Sequence, residues 1–285
     1  MTTNGDIVRE VARRIEGRWA EDLSVPTLAA KAGYSLHHFS RLFAGVLGVP
    51  PKEYVLRRRV SEAARELAGG KRRVTDIAFD YGFNDLETFS RAFRRTLGAT
   101  PSAVRRGAVF PYFPGVASVA RASANGPSPV SGKLPVMESF PGCLLAGWSV
   151  RVAEETDAVG RLWGRFVPRA PGISRRIDPP AFMQLATEIG ESEEWLDIMV
   201  GVRMETLDCL EIDLVGKAVP RCDCLVFEHR GSAARIGESY RAIYADLLPS
   251  MDRKPGLPFN FETYYPDAGN PRDDGYRFRI SVPLS

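Results

Sequence analysis

Arg41 and Arg91 stand fifty residues apart inside the same local sequence. The first copy runs Ala29-Ala-Lys-Ala-Gly33-Tyr-Ser-Leu-His-His-Phe39-Ser-Arg41-Leu-Phe43, with Leu47-Gly48 and Pro51 behind it. The second runs Ala78-Phe-Asp-Tyr-Gly82-Phe-Asn-Asp-Leu-Glu-Thr-Phe89-Ser-Arg91-Ala-Phe93, with Leu97-Gly98 and Pro101 behind it. Arginine carries a planar fork of donors that pairs bidentately with guanine, and the serine before it donates to or accepts from any base.

Each copy of the repeat reads as a short helix, a glycine turn and a second helix, the second helix being the one that enters a DNA major groove. Two such units in tandem let one chain read two successive grooves without dimerising. Phe39, Phe43, Val46 and Leu47 recur at helical spacing and form a buried stripe, as do Phe89, Phe93 and Leu97. The opposite faces carry Leu36, His37, Ser40 and Arg41 in one copy and Leu86, Glu87, Ser90 and Arg91 in the other. His37, Ser40, Arg41, Glu87, Ser90 and Arg91 are therefore expected against base edges, and Arg94 and Arg95 against phosphates. Other readings stand beside these. Arg41 and Arg91 are also suited to surface pairing with glutamate, and Asn84-x-x-Glu87 has the form of a capping box. Arg57-Arg58-Arg59 is either a phosphate clamp or a solvated face.

The elements that position these residues follow from periodicity. An opening amphipathic helix is predicted over 7–19, a second from Ser24 with Pro26 in its first turn, and a third from Ser35 to about Leu47. A long helix over 53–67 ends at Gly69-Gly70, and helices at 74–81, 85–97 and near 102–106 repeat the grammar. Residues 108–133 read as a linker rich in Gly, Pro, Ala and Ser, whose Phe110, Tyr112 and Phe113 are apolar enough to pack on a neighbour. Beyond it come strands at 143–152, 182–189, 195–204, 222–229, 259–265 and 276–282, with helices at 156–167 and 235–248. The fold class is an all-α tandem helix-turn-helix domain (1–107) followed by an α+β domain (134–285) of duplicated β-α-β-β units. The cleft between its halves is the expected ligand site. Glu262 and Tyr264 share one strand face, Phe259 and Phe261 the other.

Charge divides the chain the same way. Residues 1–107 hold 19 Lys/Arg against 12 Asp/Glu, and the remainder 19 against 23. A basic first half suits nucleic acid. No apolar run approaches membrane-spanning length and nothing before the first helix resembles a signal peptide, so a cytoplasmic protein with reduced thiols and no membrane partner is expected. Cys222-x-Cys224, with Cys209 or His229 as further ligands, invites a metal reading. The spacing is shorter than zinc sites use, and small buried core residues are the expectation, with no metal and no cofactor.

Residues 7–106 resemble the DNA-binding domain of the AraC/XylS family, most closely in Ile77-Ala-Phe-Asp-Tyr-Gly82-Phe, Phe89-Ser-Arg91-Ala-Phe93-Arg94, Gly98 and Pro101. Residues 134–284 resemble the GyrI-like effector domain in Val136-Met-Glu-Ser-Phe-Pro141, Phe227-Glu-His229-Arg-Gly231, Phe261-Glu262-Thr-Tyr264 and Ile280-Ser-Val-Pro283-Leu. The resemblance implies a transcription regulator, an activator more often than not, that binds duplex DNA as a monomer and works with RNA polymerase. It also implies a small-molecule effector, lipophilic and in some relatives cationic, held by Glu262. Tyr264, Trp148, Trp163, Trp195 and Tyr240 are the candidate aromatic walls. Some stand-alone relatives of this domain are hydrolases that use a glutamate with a neighbouring tyrosine. Here no nucleophile–base–orienter set has diagnostic spacing, and a non-enzymatic sensor is the expectation, with hydrolase and protein-docking module as alternatives.

Overall fold

The computed structural model describes residues 2–115, 129–130, 135–152, 157–177, 181–188, 196–208 and 210–284. Seven helices come first: α1 (Asn4–Ile15), α2 (Val25–Ala32), α3 (Leu36–Leu47), α4 (Pro51–Gly69), α5 (Val74–Asp80), α6 (Leu86–Leu97) and α7 (Pro101–Arg105). Their ends are set by local chemistry. Thr3 and Asp6 cap α1 reciprocally, and the side chains of Ser35, Asp85 and Thr100 accept amides at the starts of α3, α6 and α7. The turn between the helices of each unit passes through Gly33 (φ 73°) and Gly82 (φ 74°), a left-handed conformation open to glycine. The N-cap of α6 is Asp85, whose carboxylate accepts the Thr88 amide at 2.7 Å, so the capping box expected from Asn84 and Glu87 does not form.

The second half is one eight-stranded antiparallel sheet: β1 (Val136–Phe140), β2 (Cys143–Val152), β3 (Phe182–Glu188), β4 (Leu196–Met204), β5 (Val215–Val219), β6 (Cys222–Arg230), β7 (Phe259–Tyr264) and β8 (Arg277–Pro283). Helix α8 (Asp157–Arg169) lies between β2 and β3 in sequence, and α9 (Ile236–Ala242) between β6 and β7. The helix α9 widens into a π-turn at Ile243–Leu247. Each half therefore reads β-β-α-β-β, one leading strand more than the expected β-α-β-β. The missed strands, β1 and β5, are short and largely exposed, with little apolar periodicity to betray them. The strand order β1-β6-β8-β7-β3-β4-β2-β5 is its own reverse when β1–β4 are exchanged with β5–β8. A pseudo-twofold axis consequently passes between β3 and β7.

In register, Trp148, Val200, Gln184, Glu262, Ile280 and Phe227 form one row across six strands, on the face that carries α8 and α9. The opposite face buries Leu145, Met183, Leu185, Met199, Cys224, Phe259 and Phe261. The expected alternation along β7 holds, with both faces covered.

The cores do not follow the sequence division. One core joins α1–α3 to the second half: Val8, Ile15, Phe39 and Phe43 pack in the same cluster as Tyr240, Ile243, Tyr244 and Ile280. A separate core under α4–α7 is built on Leu67, Ile77, Phe89, Phe93 and Leu97, with Phe110 and Phe113 against it. Truncating a fully buried phenylalanine costs about 3–5 kcal/mol. Phe93→Ala is expected to destabilise only the segment from the second half of α4 to α7, while Phe43→Ala lowers the stability of both α1–α3 and the sheet domain. Hydrogen exchange resolved by segment distinguishes the two patterns.

Candidate functional site

Helix α6 presents its outer face to solvent. Glu87, Arg91, Arg94 and Arg95 are exposed and Ser90 is half-buried, while Phe89 and Phe93 point inward at 0% exposure. Arg91 lies 3.6 Å from Glu87 across one helical turn, with both side chains well exposed. Such a surface pair contributes little and yields readily to a stronger partner. Glu87, Ser90, Arg91, Arg94, Arg95 and Thr100 line one shallow hollow. Helix α4, about 28 Å long at 1.5 Å per residue, holds this unit against the first.

The arginine triplet on α4 is neither the clamp nor the solvated face that its sequence suggested. Arg58 is buried and ion-paired to Glu16 at 2.7 Å and Glu62 at 2.8 Å, and it also donates to the Phe113 carbonyl. Arg59 donates to the Trp19 carbonyl at 2.8 Å. Only Arg57 stays at the surface, paired with Glu53 and lying over the Phe113 ring. The apolar end of the interdomain segment packs here as its composition implied: Tyr112 donates to Glu62 at 2.6 Å.

Helix α3 stands differently from α6. His37 is 8% exposed, and its Nε2 accepts a hydrogen bond from Asn260 Nδ2 at 2.9 Å. His38 is fully buried, with Nδ1 2.8 Å from the Tyr244 hydroxyl. The Arg41 guanidinium lies 4.4 Å from the Tyr240 ring centre and 5.4 Å from that of Tyr244. The base-reading side expected of α3 therefore faces α9 and the π-turn rather than solvent. Burial, then the charge of Arg41, pushes the His38 pKa down to about 3, against the backbone carbonyls of Leu257 and Phe259. Burial, Arg41 and His38 hold His37 well below its usual value.

Glu262 sits in the middle of the sheet at 1% exposure. Tyr240 donates to its Oε1 at 2.7 Å, Gln184 Nε2 donates to the same oxygen at 3.1 Å, and the Tyr264 hydroxyl donates to Oε2. Gln184 in turn accepts from Trp163 Nε1 at 2.7 Å. Trp163 meets the Tyr264 ring edge-on at 4.8 Å, and Phe278 stacks on Tyr264 at 4.6 Å. Burial, followed by the adjoining Glu262 charge, raises the Tyr264 pKa far above its ordinary value, so the phenol keeps its proton. The structure thus brings together Glu262, Tyr264, Tyr240 and Trp163. Trp148 lies three strands from Glu262 in the register and packs on Phe166. Trp195 lies outside the described residues. Gln184, Asn260 and Phe278 were missed by sequence reasoning, although Gln184 is the polar interruption of an apolar strand and so carried a signal.

Cys222, Cys224 and His229 make internal contacts. Cys222 and Cys224 are both buried, with sulfurs 3.5 Å apart, and no group of three or more metal-ligating side chains occurs among the described residues. Cys209 is outside them. His229 spends both ring nitrogens internally, on Ser239 Oγ at 2.7 Å and the Gly231 carbonyl at 2.9 Å. No helix among the described residues is long and apolar enough to cross a membrane.

The depressed histidines have a consequence for pH. Their folded-state pKa lies below the unfolded value of 6.5, so the stability they contribute is present above about pH 6.5 and is lost as pH falls through the window toward 3. By pH 5 His38 alone is expected to account for a loss of about 2 kcal/mol. Denaturant unfolding at pH 7 and pH 5 measures it, and a His37→Asn, His38→Gln double variant is expected to show a flattened dependence.

Comparison with known proteins matches these two regions separately. A helix-turn-helix domain is recognised over residues 28–107 and a GyrI-like small molecule binding domain over residues 135–285. The chain is 38% identical over 99 residues to the HTH-type transcriptional activator AarP of Providencia stuartii, covering 35% of this chain and 73% of AarP. It is 36% identical over 99 residues to the regulatory protein SoxS of Salmonella typhimurium, covering 35% of this chain and 92% of SoxS. The match to the transcriptional regulator Rob of Salmonella typhimurium is 37% over 107 residues and spans only 37% of Rob's length, with 38% of this chain. The chain belongs to the AraC/XylS family of transcriptional regulators and carries a GyrI-like small-molecule-binding domain as its second half.

Proposed function

We propose that the protein is a ligand-responsive, sequence-specific DNA-binding regulator, acting as an activator with RNA polymerase, one chain to each asymmetric site. Its boundaries of use are 1–107 for DNA and 134–285 for the effector, joined by 108–133. In this reading α3 and α6 enter successive major grooves. His37, Ser40, Arg41, Ser90 and Arg91 face bases, Glu87 tempers Arg91, and Arg94 and Arg95 hold phosphates. The exposed Arg91 beside half-buried Ser90 on the outer face of α6 supports it.

The effector is a small lipophilic cation, and the observation that carries this is the burial of Glu262 among aromatic side chains with neutral donors from Tyr240, Tyr264 and Gln184. Those donors stabilise the carboxylate without cancelling its charge. A cation entering between the rings would exchange them for a full ionic contact in a low-dielectric setting. No reaction is assigned to the pocket. Each oxygen of Glu262 is already engaged by a tyrosine hydroxyl, which suits an acceptor rather than a base. The protein works where its DNA is, which is the cytoplasm in this reading.

Thermal shift with tetraphenylphosphonium against neutral triphenylphosphine oxide tests the effector. Stabilisation by the cation alone is expected, and Glu262→Gln is expected to abolish it. Equal shifts by both compounds, or a shift retained in the variant, would move the ligand elsewhere. On DNA, Arg91→Ala is expected to cost about 1–3 kcal/mol at one base position and to relax specificity there, while Arg94→Ala weakens all sequences alike. Titration against single-base variants of a selected site separates the two behaviours.

A further inference from the structure

Two of the three residues of the first unit expected on bases, His37 and Arg41, lie against the second domain. His37 is bonded to Asn260, and Arg41 rests on the rings of Tyr240 and Tyr244. Ser40 Oγ and Arg41 Nη1 are buried without a hydrogen-bond partner among the described residues. Groups able to make hydrogen bonds are thus covered yet unsatisfied on this helix, His38 Nε2 among them. Of the equivalent residues of α6, Glu87 and Arg91 are exposed and Ser90 is half-buried. The contact is close as well as polar. A Cβ at Gly45 would stand 2.8 Å from Ala245 Cα and nearer still to the Tyr244 carbonyl, so the π-turn backbone lies directly on α3.

We propose that this is a self-inhibited arrangement, in which the second domain occupies the DNA-reading face of α3 and holds Arg41 as a tethered cation on the Tyr240–Tyr244 wall. A recognition helix must offer its polar face to base edges, and the same face cannot serve the groove and the π-turn together. The first unit therefore reads DNA only after the contact opens, whereas α6 reads it at any time. Tyr240 joins this contact to the effector pocket, since its ring carries Arg41 and its hydroxyl donates to Glu262. The inference rests on α3 being a DNA-reading helix, as proposed above.

Two substitutions open the contact from opposite sides. Gly45→Ala places a methyl group where the Tyr244 carbonyl lies, and alanine favours the helix over glycine. Tyr244→Ala removes the ring under Arg41 and His38 and leaves α3 unchanged, so the test survives if one variant folds poorly. Each full-length protein is used to enrich binding sites from a random duplex pool without ligand. Wild type is expected to enrich one short motif, the width of a single groove contact. Each variant that remains folded by circular dichroism is expected to enrich two motifs about 10 base pairs apart, with at least tenfold tighter binding to the double site. Enrichment of both motifs by wild type, or of a single motif by every folded variant, overturns the inference and leaves DNA binding standing. Enrichment of no motif by any of the proteins overturns the DNA-binding reading, and this inference with it.

Discussion

A carboxylate at 1% exposure must receive its hydrogen bonds where it stands, and meeting that demand for Glu262 organises the centre of the second domain. Gln184 reaches it from the strand across the pseudo-twofold axis, Tyr264 from the same strand, and Tyr240 from α9. Each donor is in turn fixed by something larger. Trp163 of α8 holds Gln184, Phe278 stacks on Tyr264, and Asn260 stands 3.3 Å from the Tyr240 hydroxyl. Asn260 then donates to His37, which belongs to the other domain. A series of polar contacts thereby runs from α8 to α3.

Apolar packing reinforces that continuity. Because Phe39 and Phe43 share a core with Ile243, Tyr244 and Ile280, the first helix-turn-helix unit is held to the sheet domain by the same burial that holds it together. Asn4 tightens the join by donating to the Leu248 carbonyl at 2.7 Å and accepting from Tyr34. The second unit keeps its own core and stays free of this arrangement. Two copies of one local sequence have thus been given different environments, and the difference lies in the neighbour rather than in the repeat.

Most of the helical half was legible in the sequence because glycine turns, caps and aromatic spacing are local. Gly33, Gly82, Ser35 and the two phenylalanine stripes stand where their chemistry put them. The strands with clean alternation were legible for the same reason, and β1 and β5 were not, being short, exposed and dependent on β6 and β2 for their existence. At the site, Glu262 was named through the family resemblance of Phe261-Glu262-Thr-Tyr264, and Tyr264 through its place on the same strand face. Its amide partner Gln184 lies 78 residues away in sequence and is brought near only by the sheet order. The role of α3 was least legible. His37, Ser40 and Arg41 have the composition of a DNA-facing surface, and nothing in their own helix announces that Asn260 binds His37 or that Tyr240 and Tyr244 lie under Arg41. Arg58 misled for a like reason: its partners Glu16 and Glu62 sit just past the end of α1 and one turn away on α4, so a run of arginines concealed a buried ion pair.

The contact between α3 and the π-turn joins two parts of one chain, and that changes how strong it has to be. Tethering gives each surface an effective concentration of the other, fixed by the chain between them. The segment read as the linker, 108–133, is part of that chain. The balance between this contact and any competitor for α3 is therefore written partly into a segment that belongs to neither surface, and altering its length or stiffness would retune that balance while leaving every side chain of both sites in place.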